Sequence, residues 1–249
     1  RVEHDCGAIV EVSPSWGFRQ QRDLEVWAEI SRRSGVQIIV STGYYVGHVR
    51  PVDFGERSLA NLADGMIREA TEGIACAAVR AGIIKIAVSG MTADDRKLVR
   101  AAAAAQLATG LSITTHTCSP EDRRSVLDLL EGAGVSPERV YMGHADTNAT
   151  LPELLSLVRR GCNVLLTIWG IVAADTIGWQ LPALARYHSA ELVAGLVAEG
   201  HGEQVLASVD YSAGFEEGRF VPDLYRVQDR TSLYVFTHAV PDLYRLGVP

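Results

Sequence analysis

Several features are scarce or missing in this chain, and each gap excludes a class. Cysteine is scarce: Cys6, Cys76, Cys118 and Cys162 stand far apart, with no Cys-x-x-Cys pair. In a chain of 249 residues that spacing predicts reduced, mostly buried thiols, and it argues against a disulfide framework or a thiolate zinc site. Positive charge is in deficit, with 23 Lys+Arg against 30 Asp+Glu and a net charge of −7. No Lys/Arg-rich run stands out, so nucleic acid and anionic membrane surfaces are not expected partners. Charges interrupt every apolar stretch well before the roughly 18–20 residues a membrane span needs. The opening Arg-Val-Glu-His-Asp-Cys has no apolar core of a signal peptide, so the expected location is cytoplasmic. The first residue is Arg1 rather than Met, which predicts a processed, trimmed or partial chain. No Gly-x-Gly-x-x-Gly follows the first strand, which weakens a dinucleotide-binding reading.

What is present is a regular alternation. The chain is 47% apolar, enough to bury a large core. Short β-branched runs at 8–12, 36–41, 83–87, 111–115, 140–143, 163–168 and 205–208 read as strands. Between them lie helical patterns at 24–34, 58–80, from Thr92-Ala-Asp-Asp95 to Gly110, from Ser119-Pro120 onward, at 151–160 and at 189–199. Alternation of this kind implies parallel βα units, and near-continuous apolar strands imply burial on both faces. The expected fold is α/β, a (β/α)8 TIM-type barrel forming a single domain over 1–249, with seven strands visible and one βα unit missing. The hexapeptide Val-Pro-Asp-Leu-Tyr-Arg occurs at 221–226 and 240–245 and reads as two helix starts with Pro in the first turn.

In such a barrel, polar residues at the carboxyl ends of strands gather at one rim. Lys85 sits inside Ile-Ile-Lys-Ile-Ala, where a solvated lysine has no exposed face to use. A buried lysine is costly unless it is paired or chemically changed. Thr114-Thr115-His116-Thr117, Gly143-His144-Ala145-Asp146 and Ser208-Val209-Asp210 end three further strands. Two histidines, an aspartate and a buried lysine from four strand ends read as a divalent-metal site. An ammonium beside a cation is repelled, so Lys85 there would act as a carbamate; the alternative is a Schiff-base lysine.

At these residues the chain resembles the phosphotriesterase family of the amidohydrolase superfamily, phosphotriesterase-like lactonases included. The resemblance runs through Thr42-Gly43-Tyr44-Tyr45, Ala81-Gly82-Ile83-Ile84-Lys85-Ile86-Ala87, Thr-Thr-His-Thr, Gly-His-Ala-Asp and Ser-Val-Asp. It implies two divalent metals, usually zinc, and a hydroxide activated by them to cleave lactones, phosphotriesters or related esters. It implies Lys85 as carbamylated bridge, His116 and His144 on the more exposed metal, and Asp210 on the buried metal and as proton acceptor. Tyr44, Tyr45, Trp169, Trp179, Tyr211 and Phe215 follow strands and are expected to shape an apolar substrate pocket. A homodimer is common among related barrels.

One departure stands out. The family's first strand ends in His-x-His, and no such pair occurs among the histidines at 4, 48, 116, 144, 188, 201 and 238. The expectation is a chain beginning about one βα unit late, lacking a final helix, and holding one metal rather than two. Two rival readings stay open. One is a catalytically impaired or non-catalytic barrel that keeps a single metal site. The other is a Schiff-base aldolase that uses Lys85.

Overall fold

The computed structural model describes residues 6–14, 21–75, 78–117, 119–169, 185–209, 214–216, 219–221 and 234–249. Strands β1 (Ala8–Glu11), β2 (Gln37–Tyr44), β3 (Ile83–Ala87), β4 (Ile113–His116), β5 (Val140–Gly143), β6 (Asn163–Leu166) and β7 (Val205–Ala207) follow one another in the sheet in chain order. Every pairing recorded between them is parallel. Helices α1 (Gln21–Ser34), α2 (Leu59–Thr71), α3 (Ala93–Thr109), α4 (Pro120–Gly132), α5 (Leu151–Val158) and α6 (Ala185–Ala198) alternate with them, and α7 (Val240–Arg245) follows a π-helical turn at Val235–Ala239. No helix among the described residues is long and apolar enough to cross a membrane.

The chain divides into two compact units. The first holds residues 1–117 and 121–141. Its register sets Gly43 opposite Lys85, Lys85 opposite Thr114, and Ala87 opposite His116. Side chains alternate across a strand, so Lys85, Ala87, Thr114 and His116 share one face of the sheet. Ile84, Ile86, Ile113 and Thr115 take the other, helix-covered face and are buried. On that face Leu24 of α1 packs with Val40, Ile74 and Ala81. Thr92 and Asp95 form the expected capping box at the start of α3, and Gly110 closes it at φ 72°. β1 differs from its neighbours, with Ile9 and Val10 about half exposed.

The second unit holds residues 118–120 and 142–249. Val164, Leu165 and Leu166 of β6 pair with Val205, Leu206 and Ala207 of β7. α5 buries Leu154, Leu155, Leu157 and Val158, and α6 approaches it closely enough that a Cβ on Gly195 would lie 2.6 Å from Leu151.

Besides shifts of a few residues at element ends, three differences from the expectation stand out. β2 runs on to Tyr44 instead of stopping at Ser41, because Gly43 continues the strand at φ 121° rather than breaking it. α2 stops at Thr71, since Glu72 and Gly73, the latter at φ 127°, end it. A two-stranded antiparallel hairpin, β8 (Gly214–Glu216) and β9 (Arg219–Val221), was not foreseen. The second copy of the hexapeptide is α7, whereas Val221 of the first copy ends β9 and the rest lies outside the described residues. Cys6 and Cys162 are free thiols, the latter buried, and Cys76 and Cys118 lie outside the described residues.

Candidate active site

Gly43 sets the local geometry of the first unit's rim. A Cβ there would lie 1.9 Å from the carbonyl oxygen of Lys85, so β2 and β3 approach as closely as they do only because this position has no side chain. Lys85 is 5% exposed, and its Nζ donates to the Thr115 carbonyl at 2.8 Å. His116 ends the neighbouring strand on the same face. Its ring lies 4.9 Å from that of Tyr45, centroid to centroid, and the Tyr45 hydroxyl is 3.0 Å from its Nδ1.

Tyr45 is itself anchored by a residue that the sequence did not single out. Arg50 donates from Nε to the Tyr45 carbonyl at 2.7 Å, and from Nη2 to the Ala87 carbonyl at 2.8 Å and to Asp95 Oδ1 at 2.6 Å. Both side chains of this ion pair are about nineteen-twentieths buried. The guanidinium also sits over the Phe54 ring at 4.8 Å, and Lys97 lies 5.1 Å from the same ring while donating to the Phe54 and Gly55 carbonyls. The segment after β2 is therefore tied to the ends of β2 and β3 and to the start of α3.

In the second unit His144 occupies the left-handed region at φ 52°, a conformation that a non-glycine residue keeps only where its surroundings enforce it. It is 5% exposed, and its Nδ1 lies 2.6 Å from the Thr167 hydroxyl. Asp146, fully buried, accepts the backbone N–H groups of Thr167 and Ile168, each at 3.0 Å, and the Ser189 hydroxyl at 2.8 Å. Burial pushes the Asp146 carboxyl pKa above its ordinary value, against the pull of those three hydrogen bonds.

Two residues expected to line a pocket are deeply buried. Tyr44 follows the strand alternation onto the helix-covered face, where it is 1% exposed and packs edge-on against Phe54. Burial raises its hydroxyl pKa, which Arg57 partly opposes. Trp169 is fully buried, with its indole N–H donating to the Leu166 carbonyl at 3.2 Å. Asp210, Tyr211 and Trp179 lie outside the described residues, as does the side chain of Phe215.

Within the first unit, His116 is an imidazole of a type that ligates divalent cations, and Lys85 is an amine buried on the same strand face; in the second unit, His144 offers another imidazole. Among the described residues, however, no three His, Cys, Asp or Glu side chains are grouped as a metal site.

The sequence model of the phosphotriesterase family matches residues 5–249. The chain belongs to this family. It is 28% identical over 236 residues to the aryldialkylphosphatase of Saccharolobus solfataricus, covering 91% of this chain and 71% of that protein. It is 33% identical over 160 residues to the phosphotriesterase homology protein of Escherichia coli, covering 63% and 52%. It is 26% identical to an N-acetyltaurine hydrolase of Tetraodon nigroviridis, covering 97% and 68%. The chain thus spans between about half and seven-tenths of the curated relatives it matches. An organophosphorus hydrolase variant from Deinococcus radiodurans superposes with a TM-score of 0.81 at 26% identity, over 98% of this chain and 74% of that one. The E. coli phosphotriesterase homology protein gives the same TM-score at 24% identity. The fold is accordingly α/β, of the (β/α)8 TIM-barrel class, with seven parallel strands described.

Proposed function

We propose that this chain is a metal-dependent hydrolase of the phosphotriesterase type that cleaves lactones, phosphotriesters or related esters. The observation that carries the reading is Lys85, 5% exposed on the face of β3 that His116 shares on β4. Lys85 as a carbamate, His116, His144 and Asp210 would hold the metal. When bound, a divalent ion such as zinc supplies Lewis acidity and lowers the pKa of water toward neutrality. The chain's own groups do the rest. Asp210 accepts the proton released as water attacks the acyl or phosphoryl centre. Tyr45 offers an aromatic wall beside His116, and the Arg50 anchorage keeps that wall in place. The names of the relatives support hydrolysis, of a phosphoric ester in one case and of an N-acyl bond in another.

The test is a chelator-dialysed preparation assayed on an aryl phosphotriester, a γ-lactone, an aryl ester and an N-acyl aminosulfonate. Activity that is lost on dialysis, restored by zinc and absent in Lys85→Ala supports the proposal. Full activity without metal overturns it. Borohydride trapping of a carbonyl substrate on Lys85 would establish the aldolase instead. Zinc uptake with no turnover of any substrate would establish the non-catalytic barrel.

A further inference from the structure

We propose that Asp146 is a positioning residue, which acts through Thr167 to fix the nitrogen that His144 offers to a ligand. The proposal deepens the hydrolase reading and rests on it only where metal affinity is concerned.

β6 ends at Leu166, and the next two backbone N–H groups, of Thr167 and Ile168, both find their acceptor in one carboxylate. Oδ1 of Asp146 takes the first and Oδ2 the second, and Oδ2 also takes the Ser189 hydroxyl of α6. All four groups are buried, so each hydrogen bond forms in a medium where losing it is expensive. The backbone of Thr167 is thereby fixed. A β-branched side chain is stiff at χ1, so a fixed backbone also fixes where the Thr167 hydroxyl points. It points to Nδ1 of His144, 2.6 Å away. His144 stands two residues before Asp146, with its backbone in the left-handed region that brings its ring to this partner.

The chemical consequence concerns the tautomer. Where Nδ1 donates to the Thr167 oxygen, the lone pair of the imidazole lies on Nε2, and a metal bond from His144 would go through Nε2. Ligating histidines are commonly oriented by a partner on the other ring nitrogen, and loss of such a partner weakens metal binding. The clasp reaches one step further, since Ile168, held by Oδ2, bridges to Val209, the residue before Asp210.

The experiment begins without metal. Ring-nitrogen spectra of ¹⁵N-histidine-labelled, chelator-dialysed protein report the tautomer directly, with His144 assigned by its absence in His144→Gln. The wild type is expected to carry its proton on Nδ1. Thr167→Val should shift His144 toward the Nε2-protonated form, Thr167→Ser should restore the wild-type spectrum, and Asp146→Asn should shift it partway. Zinc titration then follows: Thr167→Val should bind roughly 10–100-fold more weakly and Thr167→Ser near normally. Should Thr167→Val fail to fold, Ser189→Ala loosens the same carboxylate and is read in the same way. An unchanged His144 tautomer in Thr167→Val, or no rescue by Thr167→Ser, overturns the proposal. A tautomer that moves as expected in a protein that never binds zinc upholds the positioning role and overturns the hydrolase reading. Zinc binding that is indifferent to these substitutions, with the tautomer unmoved, does the reverse.

Discussion

His116 and His144 stand in similar sequence settings, each at a strand end, and each has Nδ1 against a hydroxyl. Their supports differ. His116 is half-buried and meets a phenol at 3.0 Å, carried on a segment that depends on Arg50. His144 is buried and strained, and meets a threonine at 2.6 Å, held by a carboxylate inside the fold. An aromatic partner at a rim can turn about its bonds at little cost, whereas a clasped threonine cannot. The first histidine is built to tolerate change and the second to resist it.

The largest expected effect falls on Lys85. Lys85→Ala should lower kcat/KM about 1000-fold, the scale of removing one preorganised electrostatic group. If Lys85 acts as the proposed carbamate, short-chain carboxylates should restore part of it by taking the carbamate's place. A fully active Lys85→Arg would sink the bridging role, because a guanidinium cannot bridge cations.

Next is the approach of β2 to β3. Gly43→Ala puts a methyl 1.9 Å from a backbone oxygen that has nowhere to go, so a loss above about 4 kcal/mol in denaturant melts is expected. Gly90→Ala, at φ 78° in open space, should cost only about 1–2 kcal/mol. Equal losses at the two positions would show that strand approach is not what Gly43 provides.

Arg50→Ala removes one partner of a buried pair and should destabilise by about 3 kcal/mol, with Arg50→Ala/Asp95→Ala recovering part of the loss. It should disturb the His116 ring signal and leave that of His144 unchanged. Movement of both would break the contrast between them.

Acidity separates the two sides as well. The Asp146 pKa is raised in the folded state, so between the ordinary carboxylate value and the folded one the folded protein holds the proton more tightly. Stability from this group is complete at low pH and falls as pH rises from about 4 through the folded pKa. The urea midpoint of wild type should therefore fall relative to that of Asp146→Asn, which has no titrating group there, as pH rises. A wild type that instead gains on Asp146→Asn as pH rises would mean that the three hydrogen bonds outweigh burial.

The sequence made the strands legible because parallel strands buried on both faces leave near-continuous apolar runs, and Lys85, His116 and His144 stood out against that background. The spacing of Gly43 and Lys85 did not disclose that one admits the other. Tyr44 and Tyr45 look alike as a pair, yet alternation sends Tyr44 to Phe54 and Tyr45 to His116, and the choice depends on whether β2 runs through Gly43. Arg50, Thr167 and Ser189 were invisible as functional residues. Their partners are distant in the chain, and nothing in a single arginine or threonine announces a buried acceptor 21 or 45 residues away.

The smallest effect gives the finest test of the contrast. Tyr45→Phe keeps the ring beside His116 and deletes only the hydroxyl at 3.0 Å from Nδ1. At a half-buried position water can replace that partner, so the cost should be about 1 kcal/mol or less in stability. Zinc affinity should change by less than about 10-fold, below the 10–100-fold range that loss of an orienting partner commonly brings. Thr167→Val removes a hydroxyl from the same ring atom of the other histidine, at a buried site, and should exceed it on both measures. If Tyr45→Phe proves the more damaging of the two, support for His116 lies in the phenol itself, and the contrast between a tolerant and a clasped histidine fails.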